Sequence, residues 1–286
     1  MASRRQFLKD AIAATAAVSL SAAEEPARAH SKPDIFQFSL PRVMGTRLEF
    51  LAVGTPDAIV RPVWDAFYAE LMELDAMLNR FNGYGEVARL NADPDRENVQ
   101  VSERLSDLLR LARSYRTLTG GLFDIALGRP WEITEDGKVS LHGARLDFGG
   151  FAKGYALRLL RARLSEAGIG CAFTDFGGSS ILATGRHPYG DCWKVGVTNP
   201  YGPGAVDEWD LVDTSLSTSG NTPGYDGHIV NPATGERVSG RRMVSVRCPD
   251  PLDAEVLSTA LMLATPSDEK SLASAFPDAV FRRYDL

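Results

Sequence analysis

Four segments of the chain set glycines beside hydroxyl and charged residues: Gly121-Leu122-Phe123-Asp124, Leu146-Asp147-Phe148-Gly149-Gly150-Phe151-Ala152-Lys153-Gly154, Asp175-Phe176-Gly177-Gly178-Ser179 and Ser217-Thr218-Ser219-Gly220-Asn221. Glycine leaves backbone N–H groups unobstructed, which is what a phosphate or diphosphate needs from a loop that holds it. In the second segment the Gly-Gly pair stands where a helix is expected to begin, so the helix N-terminus and Lys153 would face one anion together. Any one of these segments is equally what a tight turn requires, but four in one chain favour anion chemistry. His228, ahead of Ile229-Val230, has an unperturbed pKa of about 6.5 that suits proton transfer or a phosphate contact, and the same pattern also fits a plain strand edge. Glu255 and Thr259 lie four apart in a helical run, hence on one face.

These residues need a frame. Arg47–Val53 alternates as a strand. From Pro56 the spacing becomes helical, with Val60, Trp64, Phe67, Leu71, Leu74 and Leu78 as an apolar stripe, Pro56 in the first turn and Thr55 as cap. A second helix is expected from Ser102 to Leu118 with Leu105, Leu108, Leu109, Ala112 and Tyr115 inward, ended by Gly120-Gly121. A third runs from Lys153 to Ala167, stopped by Gly168, and a last from Asp253 to Ala264. Short β-rich runs fall at Arg145–Phe148, Cys171–Asp175, Ile181–Ala183, Trp193–Val197, Asp210–Thr214 and Met243–Val246. No repeat or low-complexity tract interrupts them. The pattern is α+β in a single compact domain, with strand order left open.

Composition narrows the partners. The 286 residues carry 31 Lys+Arg against 37 Asp+Glu, a net charge of −6, so phosphate backbones meet no general attraction and a nucleic-acid partner is not expected. Three cysteines (Cys171, Cys192, Cys248) without CxxC spacing indicate neither a disulfide framework nor a zinc cluster. Ser219 with Lys153 or His228 would be the raw material of a serine hydrolase. It stands, however, in neither a Gly-x-Ser-x-Gly elbow nor a Ser-x-x-Lys helix.

Residues 1–29 read as an address and 30–286 as the folded body. Arg4-Arg5-Gln6-Phe7-Leu8-Lys9 is similar to a twin-arginine export signal, Ala11–Ala23 is apolar but too short for a stable membrane span, and Ala27-Arg28-Ala29 is a small-x-small cleavage pattern. A periplasmic location is therefore expected. The first 29 residues hold four basic and three acidic groups, so the remaining 257 carry −7. Because this route carries folded proteins, unpaired thiols are tolerable.

The ordered set of motifs resembles a known family. Met44-Gly45-Thr46, Leu90-Asn91, Gly121-x-Phe123-Asp124, Leu146-Asp147-x-Gly149-Gly150-x-Ala152-Lys153-Gly154-Tyr155, Gly177-Gly178, Ser217-Thr218-Ser219-Gly220, His228-Ile229-Val230-x-Pro232-x-Thr234-Gly235 and Leu257-Ser258-Thr259-Ala260-Leu261 follow the pattern of the ApbE flavin transferases across roughly residues 41–264. The resemblance implies an ApbE-like, T-fold-type domain. It also implies transfer of FMN from FAD to a Thr or Ser hydroxyl of an extracytoplasmic electron-transfer protein, with release of AMP. The implied Mg²⁺ ligands are the Gly150 carbonyl, Glu255 and Thr259. Met44, Phe81, Leu122, Phe123, Asp124, Asp147, Lys153, His228 and Ile229 are the implied flavin-nucleotide contacts, with His228 and Asp147 catalytic.

The chain departs from the family at several positions: Glu255 for the usual Asp, Arg158 for the Asp expected after Gly-Tyr-Ala-x, Ser179 after Gly177-Gly178, Asn231 before Pro232, Ile125-Ala126 for Pro-Thr, and Asn79-Arg80-Phe81-Asn82-Gly83-Tyr84-Gly85-Glu86 for a serine-rich approach to the flavin. They leave a second reading open, a non-catalytic FAD-binding or flavin-donor protein of the same fold.

Overall fold

In the computed structural model, which describes residues 33–224 and 227–286, the chain first reverses at Met44-Gly45. Both residues have positive φ, 48° and 78°, and Val43 stands opposite Thr46, the two-residue hairpin geometry that follows the natural twist of paired strands. The hairpin joins β1 (Ile35–Val43) to β2 (Thr46–Val53). The expected export signal lies outside the described residues.

The apolar stripe after Pro56 forms helix α1 (Asp57–Leu78), and all six of its expected core residues are buried. Its start differs from expectation: extended Pro56 is itself the cap residue, and no side chain, Thr55 included, caps the helix. Helix α2 (Glu86–Ala92) is too short to leave a periodic signal. Helix α3 (Glu103–Leu118) buries Leu105, Leu108, Leu109, Ala112 and Tyr115, and the Ser102 hydroxyl caps it by accepting from the Leu105 N–H at 3.2 Å. Gly120 and Gly121, at φ of 61° and 86°, end it. A small sheet of β3 (Val99–Gln100), β4 (Glu132–Ile133) and β5 (Lys138–Ser140) follows.

Then come helix α4 (Ala152–Glu166), the hairpin β6 (Ala172–Phe176) and β7 (Ser180–Thr184), the hairpin β8 (Trp193–Thr198) and β9 (Ala205–Leu211), and strands β10 (Thr214–Gly220) and β11 (Arg242–Cys248). Helices α5 (Pro251–Leu261) and α6 (Pro266–Ala275) and strand β12 (Val280–Asp285) complete the chain. Seven strands form one antiparallel sheet in the order β1-β2-β6-β7-β10-β11-β12. Both of its faces are covered. Leu182, Val244 and Val246 join the main core with α1, α4 and α5, whereas Ile181, Ala183, Leu216 and Met243 pack with Trp193 and Trp209 of the β8–β9 hairpin. Helices segregated on one face of an antiparallel sheet make the fold α+β, as expected.

Two expected strands are different objects. Arg145–Phe148 joins no sheet: the Asn91 side chain takes both backbone groups of Leu146, its Nδ2 donating to the carbonyl at 2.8 Å and its Oδ1 accepting from the N–H at 2.7 Å. Asp210–Thr214 contains the end of β9, a reversal with Asp213 at φ 47°, and the start of β10. The last expected helix begins earlier and ends sooner, at Pro251–Leu261. The Asp250 carboxylate caps it by accepting from the Leu252 N–H at 2.8 Å, and the Arg283 guanidinium takes the Leu261 and Ala264 carbonyls at 2.8 and 3.0 Å.

One contact governs the helix layer. A Cβ added at Gly154 would stand 2.6 Å from Glu255 Cβ and 2.8 Å from the Pro251 carbonyl oxygen, so α4 and α5 meet backbone to backbone at this glycine. Gly154→Ala is expected to force them apart, costing about 1–3 kcal/mol in chemical denaturation. An unchanged denaturation midpoint would contradict this packing.

Candidate functional site

The second glycine segment is held from three sides before it reaches α4. The Asp147 N–H donates to the Ile125 carbonyl at 2.7 Å, Asp147 Oδ1 accepts from the Gly149 N–H at 2.9 Å, and Asp147 Oδ2 pairs with Arg80 at 3.2 Å. The carboxylate thus shapes the Gly149-Gly150 turn and ties it to the Arg80-Phe81 loop. A Cβ at Gly150 would fall 2.8 Å from Thr259 Oγ1 and 3.5 Å from the Phe123 ring, so only glycine lets the turn lie against α5. Two of the three implied metal ligands, Gly150 and Thr259, are therefore neighbours.

Glu255, one turn before Thr259, is the buried charge of the site, its side chain 5% exposed. One carboxylate oxygen accepts from the Lys153 ammonium; the other accepts from Ser180 Oγ at 2.6 Å and Ser217 Oγ at 2.9 Å. Ser258 Oγ bridges Ser217 at 3.1 Å and Ser219 at 2.8 Å, and Ser219 comes within 3.4 Å of Thr259 Oγ1. Ser217-Thr218-Ser219-Gly220 is accordingly not an anion-cradling turn. It is strand β10, paired with β11, and what it brings to the site is hydroxyls on alternate positions facing α5. Lys153 likewise does not point at an open anion site; it spends its charge on Glu255.

The other expected contacts lie on separate turns and loops. The Met44-Gly45 turn neighbours the Gly177-Gly178 turn, since a Cβ at Gly177 would stand 2.6 Å from Thr46 Oγ1. Phe81 is 82% exposed with the Arg80 guanidinium 4.6 Å over its ring, presented by a loop in which Asn79 and Asn82 side chains accept from the N–H groups of Phe81, Tyr84 and Gly85. Leu122 is half-buried. The Phe123 ring is buried and stacked on Phe151 at 6.3 Å. The Asp124 carboxylate is 1% exposed and turned inward, accepting from the Ala126 and Gly128 N–H groups at 2.9 and 3.0 Å and pairing with Arg116 at 3.2 Å. A Cβ at Gly128 would overlap the Pro232 carbonyl, so this loop packs on the one that carries exposed His228 and buried Ile229. Buried Asn221 anchors that second loop, donating to the Val238 and Gly240 carbonyls at 3.0 and 2.9 Å and accepting from the Gly227 N–H at 3.3 Å.

Sequence reasoning missed Asn91, Ser180, Ser258 and Asn221 as organisers of the site. The period-2 serines of Ser215-x-Ser217-x-Ser219 were the one visible trace of its hydroxyl lining. Arg158 finds its reason here as well. It reaches Asp250 at 2.9 Å and the Tyr115 hydroxyl at 2.6 Å, while that hydroxyl donates to Asp253. The network pins the first turn of α5 to α3 and α4. Burial, and then the hydrogen bond to Asp253, push the Tyr115 phenol well above its ordinary pKa; burial also raises Asp253.

Among the described residues no three His, Cys, Asp or Glu side chains converge on a possible metal. A cation here would rest on one carboxylate, a hydroxyl and a carbonyl. That set of hard oxygens fits Mg²⁺, which keeps waters and phosphate oxygens as its remaining ligands.

The ApbE family model matches residues 44–140 and 131–281. The chain belongs to the ApbE family. It is 28% identical over 275 residues to a FAD:protein FMN transferase of Rhodobacter capsulatus, covering 81% of this chain and 52% of that protein, so it spans about half the length of this relative. It is 26% identical over 285 residues to a FAD:protein FMN transferase of Treponema pallidum, covering 79% of this chain and 78% of the other. The ApbE fold is shared with solved structures: the ApbE protein of Thermotoga maritima (TM-score 0.74, 21% identity, 87% of this chain and 93% of that one) and the flavinyl transferase ApbE of Pseudomonas stutzeri (TM-score 0.72, 24% identity, 88% and 91%).

The Tyr115 network supplies a pH test. With the folded pKa above the unfolded value near 10, the phenol's contribution is fully present below about pH 10 and is lost as pH rises through the folded value. Tyr115→Phe should be destabilised by about 1–2 kcal/mol at pH 7 and should lose about 1 kcal/mol less than the parent between pH 10 and 11. Parallel stability curves over that interval would overturn the assignment.

Proposed function

We propose that the chain is a FAD:protein FMN transferase, acting on FAD and on a Thr or Ser hydroxyl of an acceptor protein. The observation that carries this reading is the convergence of separate ApbE motifs on one wall: Gly150 against Thr259, Lys153 on Glu255, and Ser180 and Ser217 on the same carboxylate. Names of relatives in the same family support it.

In the reaction the acceptor oxygen attacks the FMN phosphorus of FAD. A new P–O bond forms, the bond from that phosphorus to the bridging oxygen breaks, and AMP leaves with the bridging oxygen while the acceptor hydroxyl gives up its proton. Gly150, Glu255 and Thr259 would hold Mg²⁺, which when bound supplies charge for phosphate oxygens. The chain's own groups do the positioning. Asp147 fixes the Gly149-Gly150 turn and, through Arg80, the loop bearing Phe81, whose exposed ring offers a stacking surface for isoalloxazine. Met44, Leu122 and the backbone of Phe123, Asp124 and Ile229 would line the nucleotide. His228, exposed on the loop that packs on Gly128 through Pro232, would exchange the hydroxyl proton, with Asp147 as the second catalytic group.

Incubating the protein with FAD, Mg²⁺ and a flavin-free redox domain with a free Thr or Ser hydroxyl as acceptor should add the mass of FMN to the acceptor, with AMP released in equal amount. Thr259→Ala should reduce the rate at least tenfold. FAD bound without AMP or acceptor adduct would instead establish the flavin-donor reading. The expected export is part of the same proposal, placing the acceptor outside the cytoplasm. Replacing Arg4 and Arg5 together with Lys should hold the protein in the cytoplasmic fraction, and an unaltered distribution would sink it.

A further inference from the structure

Lys153 stands in the first turn of α4, where the helix dipole disfavours a cation, and no acidic residue shares that turn. Its side chain is nevertheless 17% exposed and committed to Glu255. Glu255 has no spare donor arrangement: one oxygen carries the ammonium and the other two serine hydroxyls, at 2.6 and 2.9 Å. The two kinds of partner differ in what they permit. A serine hydroxyl can rotate away, and Ser217 already has Ser258 as an alternative partner at 3.1 Å. An ammonium has only donors, cannot ligate a metal, and repels one.

Resting on the flavin-transferase reading, we infer that Lys153 is the resident cation of this site, and that a divalent ion reaches Glu255 only by exchanging with the Lys153 ammonium. The carboxylate is then charge-compensated before any metal arrives, which a buried carboxylate requires. Metal affinity is weakened by the cost of expelling the ammonium. The displaced Lys153, at the mouth of a helix whose Gly149-Gly150 turn precedes it, has the phosphates of a bound dinucleotide as its natural destination. Dinucleotide and metal would therefore support each other, each favouring the arrangement in which Lys153 has left Glu255.

The test is Mn²⁺ binding, followed by electron paramagnetic resonance on the full chain without FAD. Lys153→Met should bind Mn²⁺ at least tenfold more tightly than the parent, and Lys153→Gln, which keeps a donor without the charge, should do the same if the Met variant fails to fold. Glu255→Gln should lose the ion in either background. Equal or weaker binding by the uncharged variants, or no measurable binding in any form, overturns the exchange. Absence of FMN transfer by the parent protein, with the affinity change of the variants intact, would overturn the functional reading and leave the exchange standing.

Discussion

A carboxylate buried as deeply as that of Glu255 has to be compensated where it stands, and much of the helix layer is arranged so that it can be. The Lys153 ammonium comes from the first turn of α4, the Ser180 and Ser217 hydroxyls come from β7 and β10, and Glu255 itself comes from α5. Four elements meet on one charge. Removing any one donor leaves a buried negative group short of a partner, which costs more than the bond itself contributes.

Two glycines and one aromatic network make that meeting possible. Gly154 lets α4 and α5 approach at backbone distance, and Gly150 lets the preceding turn lie on Thr259. The Tyr115–Arg158–Asp250–Asp253 network then fixes the rotation and height of α5 from its far side. The sheet contributes through its alternation. β7 and β10 send Ile181, Ala183 and Leu216 into the core under the β8–β9 hairpin, and hydroxyls towards α5. A face that would otherwise be apolar is thereby made polar in one place, opposite Glu255.

Several elements were legible because their signals are local. The stripe Val60, Trp64, Phe67, Leu71, Leu74, Leu78 repeats at helical spacing, and its burial follows from that repeat alone. Gly149-Gly150 ahead of Lys153 marked the start of α4 to within a residue. Other features were illegible for the converse reason. Arg145–Phe148 has strand-like composition, but an amide 55 residues earlier satisfies its backbone. Ser217-Thr218-Ser219-Gly220 has the composition of a phosphate loop, but β11 pairs with it, and Met243 crowds the place where a side chain at Gly220 would begin. Whether a backbone group faces a ligand or a neighbouring strand is not written in its own segment.

The sequence by itself determined which residues bear chemistry and in what order: one helix-borne carboxylate with a hydroxyl four residues on, a helix-initial lysine, and glycines where turns must be tight. The family pattern follows from that order, because such residue types at such intervals rarely recur together. Only the tertiary structure decided which groups share a charge. Lys153 and Glu255 are 102 positions apart, and Ser180 and Ser217 are 75 and 38 from the same carboxylate. Hydrogen bonds and ion pairs act over a few ångströms, so their partners are chosen by how α4, α5 and the sheet pack, not by spacing along the chain.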